Sequence, residues 1–223
     1  MNLGAGRVVY QELEKLNIAV EEGAIAKEPV LVDALTYAKA NNKAVHFIGL
    51  ASDGGVHSHI NHLKGLCKIA TDAGVNDVFV HAFMDGRDCD PKSGKGFIED
   101  LQASLATSGG KIASLVGRYY AMDRDKRWER VKLAYDVMVN GVGEMSVTAN
   151  EILNTIEDSY KAGVTDEFLK PIVVTEDGKP VAKIAEGDVV MCFNFRTDRG
   201  REITEVLTQQ DFPEFGMEAL PLY

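Results

Sequence analysis

Five apolar runs of strand length alternate with longer amphipathic segments along this chain, and that alternation restricts the fold more than any other feature. The runs are "AVHFIGLAS" (44–52), "DVFVHAFMD" (77–85), "KIASLVGR" (111–118), "PIVVT" (171–175) and "DVVMCFNF" (188–195). Helical spacing covers 28–41, 57–73, 94–107, 124–139, 149–162 and 198–208. Strand followed by helix, repeated, predicts an α/β fold: a three-layer α/β/α sandwich on a largely parallel, mixed sheet of about five or six strands. "TEDGKP" (175–180) reads as a tight turn, so a local antiparallel hairpin is expected there. No repeat, low-complexity tract or linker interrupts the pattern, and residues 1–223 read as a single domain.

A chain of 223 residues with 45% hydrophobic and 26% charged content can bury a substantial core and suits a soluble globular protein. No apolar run approaches the roughly 20 residues that span a bilayer. The opening "MNLGAGRVVYQELEKL" carries no apolar stretch of the signal-peptide kind. Cys67, Cys89 and Cys192 form neither a C-x-x-C pair nor a disulfide framework, so a reducing cytoplasm is the expected location. A formal net charge of -10 argues against nucleic acid or an anionic membrane as partner.

The arginines are more informative than the net charge. Lysines are scattered, whereas all arginines but Arg7 fall into three groups: Arg87; Arg118, Arg124, Arg127 and Arg130; and Arg196, Arg199 and Arg201. A guanidinium fork matches carboxylate and phosphate bidentately, so clustered arginines in an acidic protein point to a local anion pocket. The groups also sit where strands end. The first strand runs into Ser52-Asp53-Gly54-Gly55 and His57, the second into Asp85-Gly86-Arg87-Asp88, the third into Gly117-Arg118, and the last into Asn194-Phe195-Arg196 with Asp198 and Arg199 behind. Open α/β sheets bind ligands outside the carboxyl ends of their strands.

Each motif has a plainer reading beside the functional one. "ASDGGVHSHINH" (51–62) holds three of the five histidines, yet it lacks a metalloenzyme pattern such as H-E-x-x-H and no second half occurs elsewhere. No metal site is therefore expected in this chain. Gly54-Gly55 ahead of a helix could expose N–H groups to a phosphate beside His57, although such turns are usually structural. "GAGR" at 4–7 lacks a preceding strand, and no P-loop occurs. In "DGRD" (85–88) the plain reading is an Arg–Asp pair stiffening a loop; the functional one has Arg87 holding an anion and Asp88 exchanging a hydroxyl proton. Arg196 and Arg199, three apart at a helix start, can face one ligand. Arg127 and Arg130 read as structural, with Asp123 and Glu129 as partners. His46 and His81, inside apolar strands, read as satisfied core residues.

Taken in order, "MNLGAGRVVYQ", "GLASDGGVHSHINHL", "HAFMDGRDCDP", "GRYYAMDRDKRWER", "NFRTDRGREI" and "FPEF" closely resemble the cofactor-independent (2,3-bisphosphoglycerate-independent) phosphoglycerate mutases over nearly the whole chain. Members of that family have an alkaline-phosphatase-like domain with two divalent metals, usually manganese, and a transiently phosphorylated serine. Inserted into it is a substrate-binding phosphotransferase domain, and the present sequence is similar to that insert alone. The resemblance implies an enzyme interconverting 3-phosphoglycerate and 2-phosphoglycerate in glycolysis and gluconeogenesis. It implies substrate contacts at His57, Arg87, Asp88, Arg118, Arg124, Arg196 and Arg199, with Asp88 and Arg87 closest to the chemistry. It also implies the phosphatase-like domain as partner, two Mn²⁺ on that domain rather than on this chain, and no turnover by this chain alone. Two other readings stay open: a stand-alone binding module for sugar phosphates or organic acids, and a metal-dependent hydrolase using "HSHINH".

Overall fold

The structure is a computed structural model describing residues 11–223, so "GAGR" and Arg7 lie outside the described residues. The alternation of the sequence becomes a mixed sheet of seven strands. These are β1 (Val45–Leu50), β2 (Val78–Met84), β3 (Lys111–Gly117), β4 (Met145–Thr148), β5 (Ile172–Glu176), β6 (Lys179–Pro180) and β7 (Val189–Cys192). Their order is β4-β5-β3-β2-β1-β7, with β6 beside β5 only. β7, β1, β2 and β3 run parallel, as do β4 and β5, while β3 and β5 are antiparallel.

Among the described residues eight α-helices accompany the sheet: α1 (Glu12–Glu21), α2 (Pro29–Asn41), α3 (Ile60–Asp72), α4 (Gly94–Ser108), α5 (Arg118–Ala121), α6 (Trp128–Tyr135), α7 (Ile152–Lys161) and α8 (Arg201–Thr208). Helices α2, α3, α4 and α7 bury Leu35, Leu63, Ile98 and Ile152 against Phe47, Val80 and Leu115 on one sheet face. Helices α5, α6 and α8, with a π turn at Asp136–Asn140, bury Ala121, Val131, Met138 and Ile203 against Ile48, Phe83 and Val116 on the other. Both faces are covered, which is why every residue of β1 is buried and its sequence reads as a continuous apolar run.

The expected three layers are present, with two differences. The sheet has seven strands rather than five or six, because β4 is a four-residue edge strand whose side chains alternate between half-buried and exposed. Four residues give too short an apolar signal to separate from the surrounding turns. Helix α1 was likewise not anticipated: it buries no residue, so its apolar stripe is weak. The "TEDGKP" hairpin forms, with β5 and β6 paired antiparallel across Asp177 and Gly178. Both turn residues have positive φ (52° and 73°), as a two-residue hairpin turn of this hand requires.

His46 and His81 are core residues with partners. Asp188 Oδ2 lies 3.3 Å from His46 Nε2, His46 Nδ1 lies 3.0 Å from His81 Nε2, and His81 Nδ1 lies 2.7 Å from Ser114 Oγ. The carboxylate end can only accept, which fixes the direction of the chain: each Nε2–H donates toward Asp188, and the Ser114 hydroxyl closes it by donating to His81.

Candidate anion-binding site

Register brings the predicted residues together. Leu50 pairs with Phe83, Met84 with Gly117, and Ile48 with Cys192. Four neighbouring parallel strands therefore end at nearly one level, and the loops carrying His57, Arg87–Asp88, Arg118–Arg124 and Arg196–Arg199 emerge side by side.

Loop 51–59 is folded back on its own strand. The Ser58 hydroxyl donates to the Leu50 carbonyl, and the Ile60 N–H to the Ser52 carbonyl. Gly55 adopts φ 66°, a left-handed conformation that favours glycine. A Cβ on Gly54 would sit 3.0 Å from the Asp88 carbonyl oxygen, so a side chain there would push two site loops apart. Helix α3 begins only at Ile60, with His59 as its N-cap accepting from the Asn61 N–H at 3.2 Å. The glycine pair therefore shapes a turn and does not present a helix terminus to a phosphate. His62 is buried against α1, with Nε2 2.8 Å from Asn17 Oδ1. Of the histidine cluster, His57 faces the charged strand-end residues Asp88 and Asp198, while His62 meets the edge of the Phe195 ring.

A buried carboxylate that sequence reasoning did not single out organises the next two loops. Asp85 is 1% exposed and accepts from Ser52 Oγ (2.6 Å), Arg87 N (3.2 Å), Asp88 N (3.0 Å) and Arg118 Nη1 (2.7 Å). Burial alone would raise its carboxyl, but the Asp88 N–H, the Ser52 hydroxyl and the Arg118 guanidinium hold it below the usual range. Arg118 also reaches Asp88 Oδ2 at 2.6 Å. Inside "DGRD" no Arg87–Asp88 pair forms: Arg87 extends outward to Glu167 at 3.4 Å, and Asp88 is fastened to Arg118 instead.

The Arg124 loop is held from two sides. Asp123 Oδ2 accepts from the Asp125 and Arg127 N–H groups (2.9 and 3.0 Å), and Glu202 Oε1 accepts from Lys126 N at 2.9 Å. Burial and the neighbouring Asp123 push the Glu202 carboxyl up. Arg127 pairs with Asp125 and Asp123, and Arg130 lies 3.9 Å over the Tyr119 ring and 3.6 Å from Asp123, yet both side chains also line the cleft that holds Arg124.

Arg87, Arg118, Arg124 and Arg199 line one cleft of about 480 Å³ together with Arg127 and Arg130, the carboxylates Asp123, Asp125 and Glu167, and Tyr119, Met122 and Phe168. Arg196 lines an adjoining groove of about 420 Å³. His57 and Asp88 adjoin the clefts through their neighbours: Asp88 Oδ2 lies 2.6 Å from Arg118 Nη1, and His57 Nδ1 lies 3.8 Å from Asp198, which accepts from Arg124. Arg199 donates to the Met122 carbonyl at 3.0 Å. Burial, then the nearby Arg124, Arg118 and Arg87, lowers its pKa. A cleft so lined can grip a small anion carrying a carboxylate or a phosphate at more than one point. A larger groove of about 600 Å³ at the amino end of β3 is lined by Leu105, Ile112, Ile152 and Val174 and holds none of the predicted site residues.

Among the described residues no three His, Cys, Asp or Glu side chains converge as metal ligands, and Cys67, Cys89 and Cys192 are free thiols. Nor is any described helix long and apolar enough to cross a membrane.

A family model described as BPG-independent PGAM N-terminus (iPGM_N) matches residues 16–222. The chain is 60% identical over 221 residues to a 2,3-bisphosphoglycerate-independent phosphoglycerate mutase of Parabacteroides distasonis, covering 99% of the chain and 43% of that relative. It is 61% identical over 224 residues to the Flavobacterium johnsoniae protein of the same name, covering 100% of the chain and 44% of the relative. A crystal structure of Leishmania mexicana phosphoglycerate mutase, determined at low cobalt concentration, superposes with a TM-score of 0.85 at 31% identity, over 98% of this chain and 41% of that one. The chain thus spans less than half the length of the curated relatives it matches.

Proposed function

The chain belongs to the family of BPG-independent phosphoglycerate mutase N-terminal segments, and on that premise we propose that residues 1–223 form one substrate-binding domain of a mutase that interconverts 3-phosphoglycerate and 2-phosphoglycerate. The observation that carries the reading is the cleft of Arg87, Arg118, Arg124 and Arg199 at the carboxyl ends of the parallel strands.

Phosphoryl transfer is mostly positioning and charge neutralisation, which a ring of fixed guanidinium groups supplies. In this proposal Arg87, exposed and reaching across the cleft mouth, holds the glycerate carboxylate. Arg124, Arg196 and Arg199 take the phosphoryl oxygens. Asp88, oriented by Arg118, accepts the hydrogen of a substrate hydroxyl and returns it. His57 stands beside the phosphoryl group. The phosphoserine intermediate and the two divalent metals, manganese by resemblance, are assigned to a phosphatase-like domain of the same protein. The described residues offer no ligand set for those metals, and no step assigned to this chain passes through them. The domain binds phosphoglycerate without turning it over alone, in the cytoplasm, with neither nucleic acid nor membrane as partner.

Thermal unfolding in the presence of 3-phosphoglycerate, glycerate or inorganic phosphate tests the reading, because a ligand of the native state raises the midpoint. Phosphoglycerate raising it more than either half-ligand is the expected result. No shift at millimolar phosphoglycerate would overturn it. A shift matched by many unrelated sugar phosphates would favour a general binding module.

A further inference from the structure

His57 is 3% exposed, and its ring lies between two carboxylates. Nε2 is 3.9 Å from Asp88 Oδ2, and Nδ1 is 3.8 Å from Asp198 Oδ1. Neither contact is a hydrogen bond. His57 Nδ1 is buried without a hydrogen-bond partner and faces Asp198 Oδ1, which is buried and ion-paired with Arg196 Nε at 2.9 Å but in no hydrogen-bond geometry. A buried ring nitrogen without a partner is unfavourable, and an approach of about 1 Å by the carboxylate would satisfy it.

Asp198 also touches two of the site arginines. Its Oδ2 lies 3.1 Å from Arg124 Nη1 and 3.2 Å from Arg196 Nη2, and its Oδ1 lies 2.9 Å from Arg196 Nε as an ion pair. The Arg196 N–H donates to the His57 carbonyl at 3.4 Å, which ties the two loops together. One carboxylate thus holds guanidinium groups from the β3 and β7 loops while facing the imidazole of the β1 loop. The charged groups around His57 are Arg118, Asp88, Arg196 and Asp198.

We propose that Asp198 is a positioning residue: it is the internal counter-anion of Arg124 and Arg196, and, displaced from them by an anionic ligand, it closes on His57 Nδ1–H and fixes the ring tautomer. The identity of the ligand rests on the phosphoglycerate reading of the same site; the Asp198 assignment does not. Before binding, the carboxylate keeps two like-charged guanidinium groups together without another anion. When a phosphate or carboxylate takes those groups, Asp198 Oδ1 is free to accept from Nδ1–H. That leaves Nε2 as the ring atom facing Asp88 and the ligand, the usual division of labour when a carboxylate orients a histidine.

The test is long-range ¹H–¹⁵N NMR of the imidazole nitrogens in the 223-residue chain, in Asp198→Asn and in Asp198→Ala. Each is titrated with inorganic phosphate and then with 3-phosphoglycerate. The wild-type His57 ring is expected to become fully Nδ1–H as phosphate saturates, and Asp198→Ala to abolish that preference. Phosphate should bind about two- to fivefold tighter to Asp198→Ala, the worth of the partly exposed ion pairs it no longer displaces. Unchanged His57 tautomers in Asp198→Ala, or phosphate binding no tighter than wild type, would overturn the assignment. Unaltered His46 and His81 signals report an intact core, and should Asp198→Ala disturb them, Asp198→Asn carries both readouts. If phosphate behaves as expected while 3-phosphoglycerate binds none of the three proteins, the Asp198 assignment stands and the substrate reading falls.

Discussion

Arg118 Nη1 lies 2.6 Å from Asp88 Oδ2 and also holds the fully buried Asp85, so Arg118 and Asp88 enter the site as one fixed unit. Removing one partner of a buried pair leaves an uncompensated charge, which costs about 3–5 kcal/mol. Arg118→Met is expected to destabilise the chain by that amount in urea denaturation. Arg124, half exposed, should tolerate alanine within about 0.5 kcal/mol. Equal stability of the two variants would show that the Asp85–Arg118–Asp88 unit does not hold the loops together.

The Asp188–His46–His81–Ser114 chain makes stability depend on pH. Burial, then His46, lowers the His81 pKa well below 6.5, so the unfolded chain binds the proton more readily than the folded one. Stability is then full above about pH 6.5 and lost as pH falls, by about 1.4 kcal/mol per unit for one such group. Burial likewise lowers His57 and His62, which add to the slope with the same sign. Urea midpoints between about pH 7 and pH 5 should drop steeply in wild type and less steeply in His81→Leu. Parallel slopes would remove His81 from the account.

Much of this was legible in the residues, and what was not has a physical reason. The buried parallel strands were found because both of their faces are apolar, and the arginine groups because they recur at strand ends. Asp85 and Asp198 were visible as strand-end residues but not as partners, since Asp85 meets Arg118 across 33 positions and Asp198 meets Arg124 across 74. Pairing at such separations is set by strand order, which periodicity does not encode. The same holds for "DGRD", where the neighbouring Arg87 and Asp88 each turn to a distant partner.

Glu202 ties α8 to the Arg124 loop through Lys126 N, and its raised carboxyl pKa means that the folded state favours the protonated acid. The stability it contributes is full at low pH and is lost as pH rises through the folded pKa. Glu202→Gln keeps an acceptor for Lys126 N in place and should remove that pH dependence with little loss of stability. Glu202→Ala, which leaves Lys126 N without its acceptor, should cost about 1–3 kcal/mol. Denaturation of both variants across pH 4 to 8 checks this, and a Gln variant as damaged as the Ala one would contradict it.

The central claim is that the strand-end arginines form a phosphoglycerate clamp. Titration calorimetry of 3-phosphoglycerate into the 223-residue chain, into Arg124→Ala and into Arg196→Ala measures it directly. One saturable site is predicted, weakened by about 1.5–3 kcal/mol in each variant, the range for hydrogen bonds to charged groups. Affinity unchanged in both variants, or no binding heat from the wild-type chain at millimolar ligand, would contradict it.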